Sequence, residues 1–136
     1  MSHLYSGSAV KYIRAVTPDA YSSAASTTAS NLSDFTWGTL IVSAGSIAGT
    51  LNAHMLRSAT SNGTFSEFGA SVTAYAEGEG GSLKVRSFKM DSSAVFYKVT
   101  HVASASSEYA AVVIAGGARQ IPVNQENDVT VHSDVL

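Results

Sequence analysis

Residues 51–68 read LNAHMLRSATSNGTFSEF. The first nine, 51–59, form an apolar-rich run of strand length, and the run meets Ser61-Asn62-Gly63-Thr64. Asn-Gly supplies the two positive-φ residues of a type I′ turn, whose twist matches that of paired antiparallel strands. Residues 65–68 are then expected to pair back. This is the strongest local signal in the chain, and it sets the expectation of an antiparallel β architecture.

The same rhythm extends outward in both directions. Residues 10–16 (VKYIRAV) read as a strand closed by Thr17-Pro18-Asp19, because proline fixes φ and donates no hydrogen bond. Residues 21–30 (YSSAASTTAS) suit an edge strand or a low-complexity loop, and 31–34 a turn. Residues 37–43 (WGTLIVS) read as a buried strand, and 44–50 (AGSIAGT) as a flexible turn. Beyond the hairpin, 71–76 is a short strand and 77–82 (EGEGGS) a loop. Residues 83–90 (LKVRSFKM) alternate apolar and polar, the pattern of a half-buried strand. In 95–103 (VFYKVTHVA), Val95, Tyr97 and Val99 share one face, with Lys98 and Thr100 on the other. Residues 109–115 (YAAVVIA) suit a central strand ended by Gly116-Gly117, after which 119–123 form a bend or edge. No segment carries sustained helical periodicity, and there is no internal repeat. The expectation is therefore an all-β fold, an antiparallel β-sandwich or jelly-roll-like barrel of about eight short strands with extended termini. Residues 10–123 form the domain, residues 1–9 a flexible N-terminal arm, and 124–136 a flexible C-terminal tail or arm.

Composition bounds what such a domain does. At 136 residues one domain fills the chain, and it is large enough to bury a core without staples. There is no cysteine, which excludes disulfides and thiolate metal sites. A formal net charge of -2 argues against a dedicated nucleic-acid binder, which needs a basic face. Only 13% of residues are charged, against about 25% in ordinary domains. A surface so poorly protected against association suits either a hydroxyl-rich exterior or extensive contact with other subunits. No leader-like segment opens the chain, and the longest apolar stretch, 109–115, falls far short of the ~20 residues of a membrane helix. The expectation is a protein made in the cytoplasm, with no membrane partner.

Reactive constellations are sparse. His3, His54, His101 and His132 show no metal-ligand spacing, although His54 and His101 lie in strands whose pairing could bring them together across a sheet. Residues 45–49 (GSIAG) imitate a nucleophile elbow but lack its G-x-S-x-G order and the helix that should follow. Glu77 and Glu79 suit calcium in principle, and capping a solvated hairpin is the favoured reading. Trp37, Phe65, Phe68, Tyr75, Phe88, Phe96, Tyr97 and Tyr109 read as core, and only Lys84, Arg86 and Lys89 approach a basic cluster. No catalytic, cofactor-binding or metal residue is expected, and neither is enzymatic activity.

Three segments together resemble a known class. They are residues 50–68 (TLNAHMLRSATSNGTFSEF), the aromatic-basic strand Phe96-Tyr97-Lys98-Val99, and residues 116–123 (GGARQIPV). They resemble the small β-sandwich proteins encoded among the head genes of tailed bacteriophages. There a D-G-T-F or N-G-T-F turn precedes a Y-[VK]-[RK]-V strand and an A-R-x-x-P ending. The resemblance spans residues 10–123, and it departs where the usual aspartates before the turn are replaced by residues 58–61 (SATS). It implies a non-enzymatic virion protein of the phage head surface. More narrowly it implies a capsid decoration or cement protein that needs no cofactor. Its implied partners are the major capsid protein and neighbouring copies of itself; both termini, 1–10 and 124–136, are the expected contact surfaces because they lack core-forming pattern. The alternatives are a head-fibre, neck or tail component, or a carbohydrate-binding β-sandwich module using Trp37 or Tyr75.

Overall fold

The computed structural model describes residues 10–68, 73–118, 126, 129 and 130. The expected arm at 1–9, the bend at 119–123 and almost all of 124–136 lie outside the described residues, as do His3, His132 and residues 71 and 72. The described chain is all-β: β1 (Lys11–Tyr21), β2 (Ala24–Ser26), β3 (Ser30–Asn31), β4 (Trp37–Ile47), β5 (Leu51–Ser58), β6 (Ser66–Glu67), β7 (Thr73–Tyr75), β8 (Leu83–Lys89), β9 (Phe96–Ala103) and β10 (Ser107–Gly116).

Two antiparallel sheets result. One has the order β1-β10-β4-β8; the other runs β2-β9-β5-β6, with β3 also on β9 and β7 also on β5. Taking β2 with β3, and β6 with β7, as two interrupted strands leaves eight. The sheets then read 1-8-3-6 and 2-7-4-5 in chain order. First pairs with last, second with seventh, third with sixth and fourth with fifth. This is a long hairpin rolled into a double sheet, the jelly-roll order. The core lies between the sheets and is built from alternate residues. Leu40, Val42 and Ala44 come from β4, Tyr109, Ala111, Val113 and Ala115 from β10, and Tyr97 and Val99 from β9.

Several local expectations change in this context. Pro18 does not end the first strand. β1 runs on to Tyr21 through register shifts between Arg14 and Val16 and between Val16 and Asp19. β1 is an edge strand, so a proline at a bulge leaves no ladder hydrogen bond unmade. Residues 44–47 extend β4, and only 48–50 turn. The 77–82 loop docks on this extension, with the Gly81 N–H donating to the Ala44 and Gly45 carbonyls. The hairpin between β5 and β6 exists, but its turn is not type I′. Arg57 pairs with Ser66, which leaves 58–65 as the connection, and neither Asn62 nor Gly63 has positive φ. A longer connection removes the constraint that forces both central residues left-handed.

β8 keeps its alternation with the opposite facing for its aliphatic residues. Leu83 and Val85 point outward, 60% and 54% exposed. Phe88 decides this. It lies opposite Gly38 in β4, and a Cβ on Gly38 would meet the Phe88 ring at 2.5 Å. The ring packs inward over a position with no side chain, next to Phe68 and Tyr97 at centroid separations of 5.4 and 5.7 Å. Once Phe88 is inward, the two-residue period turns Val85 and Leu83 out.

Gly80 fixes the docked loop. A Cβ there would collide with the Gly45 carbonyl oxygen and stand 3.2 Å from the Ile47 nitrogen. Because both neighbours are backbone, Gly80→Ala is expected to destabilise the fold by about 1–3 kcal/mol. Thermal unfolding measures it; an unchanged midpoint would show that the loop does not sit on β4.

Candidate functional site

The residues with chemical potential are dispersed. His101 pairs with Ala53 in the β5–β9 register, while His54 pairs with Thr100, so the two imidazoles leave opposite faces of the sheet and do not meet. His101 is buried at 4% exposure and shares a 2.6 Å hydrogen bond between Nδ1 and the Tyr109 hydroxyl, with the Tyr21 ring edge-on 5.0 Å away. Burial pushes its imidazole below the usual histidine range, and burial pushes the Tyr109 hydroxyl up to about 12. His54 lies on the outer face with Nδ1 3.8 Å from Glu67 Oε1, beyond hydrogen-bond reach. Thr100, opposite His54, donates its hydroxyl to the Ala25 carbonyl.

The elbow-like 45–49 segment crosses the end of β4 and the turn after it, with no helix behind it. Ser107 is fully buried and structural: its Oγ donates to the Ala105 carbonyl and accepts from the Ala48 N–H. Glu79 caps its own loop through Ala76 N–H at 2.9 Å and meets Lys84 at 3.4 Å. The Ala76 hydrogen bond and Lys84 hold its carboxyl below the usual range. Among the described residues no group of three or more His, Asp or Glu is placed to hold a metal ion. No helix of the described chain is long and apolar enough to cross a membrane.

The aromatic expectations divide. Tyr75, Tyr97 and Tyr109 are core residues. Tyr75 is 1% exposed and shares its hydroxyl proton between the Val42 and Ser82 carbonyls, so it offers no platform to a sugar. Trp37 is not core; it is 42% exposed, its ring lying over Gly116, where a Cβ would strike it. Lys84 and Arg86 point to one side of β8 and Lys89 to the other, so the three do not form a basic stripe.

What the fold does assemble is an apolar outer face on the four-stranded sheet. Register places Val112 beside Ile41 and Ile41 beside Val85, one row across β10, β4 and β8. The next row carries Tyr12, Ile114 and Thr39, whose hydroxyl meets that of Ser87 at 3.1 Å. Leu83 extends the apolar surface at one corner and Trp37 stands at the opposite end of β4 from Gly45. Isolated exposed aliphatics are ordinary, and this row joins three β-branched residues across strands, with the exposed Arg14 of β1 next in line beside Val112. Sequence reading missed it because each strand was paired with the core by default; the contiguity of Ile41, Val85 and Val112 exists only across strands.

At the β1-bulge end this face opens into a groove of about 600 Å³. Ala20, Ser43, Gly45 and Ala110 give it a small-residue lining, and Pro18 forms one side. Asp19 and Glu108 supply carboxylates. A second hollow, of about 190 Å³, lies between Leu32, Phe35 and Met90. No histidine lines either of them.

No protein-family model matches the chain, and no curated protein sequence matches it. Solved structures share its fold. The PBSX exported protein XepA superposes with a TM-score of 0.59 at 14% identity, over 92% of this chain and 43% of that one. A chain from the structure of infectious bursal disease virus, Gt strain, gives a TM-score of 0.52 at 14% identity, over 85% of this chain and 33% of that one. The family 11 carbohydrate-binding module from Clostridium thermocellum reaches only 0.42, at 10% identity over 82% of this chain and 85% of that one. The chain thus spans less than half the length of the first two. What it shares with them is the double-sheet β fold.

Proposed function

We propose that the chain is a non-enzymatic bacteriophage virion protein, a capsid decoration or cement protein that binds the shell of the major capsid protein and stabilises it. The observation that carries this reading is the apolar row Val112–Ile41–Val85 on the outside of a jelly-roll in which His101 is bonded to Tyr109 and Glu79 to Lys84. A protein that works by shape needs a rigid scaffold and a surface worth covering; a flat apolar sheet face is such a surface. The low charge of the chain and the fold it has in common with a virus structure support the same reading.

The test is addition of purified protein to expanded phage heads that lack it. Cosedimentation with the heads and a rise in the shell's melting temperature are expected, because a ligand that binds only the assembled state stabilises it by mass action. Heads that sediment without the protein and melt unchanged would overturn the proposal.

A further inference from the structure

We infer that Asn62 is a site of spontaneous covalent modification in the folded protein, where its side-chain amide closes on the Gly63 backbone nitrogen and the ring then opens to aspartate and isoaspartate. This does not rest on the virion reading above.

The Asn62-Gly63 pair is left without the role its sequence suggests. Asn-Gly ordinarily serves a type I′ turn, and neither residue has the positive φ that such a turn needs. Gly63 keeps a steric reason to be glycine: a Cβ there would collide with the Thr60 hydroxyl and stand 2.8 Å from the Ser58 hydroxyl. Asn62 has no comparable reason. It is exposed, and its side chain makes no hydrogen bond among the described residues.

The two reacting groups are adjacent in the chain, so the rate depends on whether the backbone is free to bring them together. At Asn62 it is free. Residues 59–64 are all exposed, within the 58–65 connection between β5 and β6. The Gly63 N–H donates to the Thr60 carbonyl at 3.4 Å, a long and weak bond. Opening an exposed loop of this kind costs little, and glycine puts no side chain in the path of its nitrogen.

The other two asparagines of the described chain are held. Asn31 Oδ1 accepts the Ser33 N–H at 2.9 Å, and the nitrogen that would have to attack, that of the buried Leu32, donates to the Val95 carbonyl at 2.9 Å. Asn52 and Ala53 are paired on both sides, with Val102 and His101 of β9 and with Ala74 and Thr73 of β7. Asn124 and Asn127 lie outside the described residues.

The chemistry needs water and no other reagent. The Gly63 nitrogen gives up its proton and attacks Asn62 Cγ. The N–Cγ bond forms, the Cγ–Nδ2 bond breaks, and Nδ2 takes up a proton and leaves as ammonia. Water then opens the five-membered succinimide. Cleavage of the N–Cγ bond yields aspartate; cleavage of the bond from the Asn62 carbonyl carbon to nitrogen yields isoaspartate, with the chain running through the former side chain. Either product is one charge more negative than the formal -2 of the chain. Isoaspartate also lengthens the backbone of the β5–β6 connection by one methylene.

The test is prolonged incubation of the purified protein at neutral pH and body temperature, folded and in guanidinium, with peptide mapping at each asparagine. The peptide carrying residue 62 is expected to gain about 1 Da and to become a methyl acceptor for isoaspartyl methyltransferase with S-adenosylmethionine. Its conversion in the folded protein is expected within about three-fold of the unfolded rate, while Asn31 and Asn52 are slowed at least about ten-fold by folding. The rate at Asn62 is expected to rise with pH, because the attacking nitrogen must first lose its proton. Asn62→Gln, which would have to close a ring one atom larger, is expected to lose the mass gain in this peptide. A residue 62 peptide that stays unchanged in the folded protein, or one that folding slows as much as it slows Asn31 and Asn52, overturns the inference. So does a mass gain that persists in Asn62→Gln.

Discussion

Leu40→Ala is expected to cost about 2–5 kcal/mol of folding stability, and Val85→Ala within about 0.5 kcal/mol. Urea unfolding of both variants measures the difference. The two residues stand in neighbouring strands of one sheet, one register step apart, since Leu40 pairs with Arg86 and Ile41 with Val85. Leu40 is fully buried between the sheets, so its truncation removes apolar contacts and leaves a cavity that close-packed neighbours cannot refill. Val85 has little to lose, being more than half exposed in the monomer. Equal losses at the two positions would show that β8 faces the other way and would remove the apolar surface with it.

Tyr109→Phe is expected to cost about 1–3 kcal/mol, more than a surface hydroxyl would, because it leaves the buried His101 Nδ1 without its partner. The double variant His101→Leu with Tyr109→Phe is expected to recover part of that loss, since it removes both polar groups together; a double variant as unstable as the sum of the single ones would refute the pairing. The same cluster predicts a pH dependence. The rings that face His101 are Tyr21 and Tyr109, and burial holds its folded-state pKa below the ordinary 6.5. The unfolded chain therefore takes up the proton more readily, and stability rises with pH wherever the unfolded state binds more protons. His101's contribution is complete above about pH 6.5. It is lost progressively as pH falls below that value toward the folded-state pKa. His101→Leu is expected to flatten this limb of the stability curve, as measured by unfolding midpoints between pH 5 and 8.

Much of the architecture was legible locally. The strands at 37–43 and 109–115 emerge as neighbours at the centre of one sheet, because a contiguous apolar run suits a strand covered on one face by the core and on the other by half-buried neighbours. The alternation in 95–103 is realised with Tyr97, Val99 and His101 inward. The 51–58 and 66–67 segments pair as expected, and the Glu77–Ser82 loop turns through Gly78 and Gly81, both with positive φ. The candidate surface was much less legible. Trp37 looked like core because large aromatics usually are, and its exposure follows from Gly116 across the ladder, which offers its ring a flat seat on the outside of the sheet. Tyr75 looked like a possible sugar platform, but Val42 and Ser82 draw its hydroxyl inside.

The amino-acid order by itself determined that the described chain is built of short antiparallel strands, where most of them lie, and that no helix interrupts them among the described residues. Those properties follow from backbone preferences and from a period of two residues, both of which act within a few positions along the chain. Only the tertiary structure decided which face of β8 looks outward, that β1 continues past Pro18 at a sheet edge, and that Ile41, Val85 and Val112 form one surface. A two-residue period says that alternate side chains part company; it does not say which set meets the core. That choice belongs to contacts between distant strands, Phe88 over Gly38 above all, and it placed an apolar row where a partner can reach it.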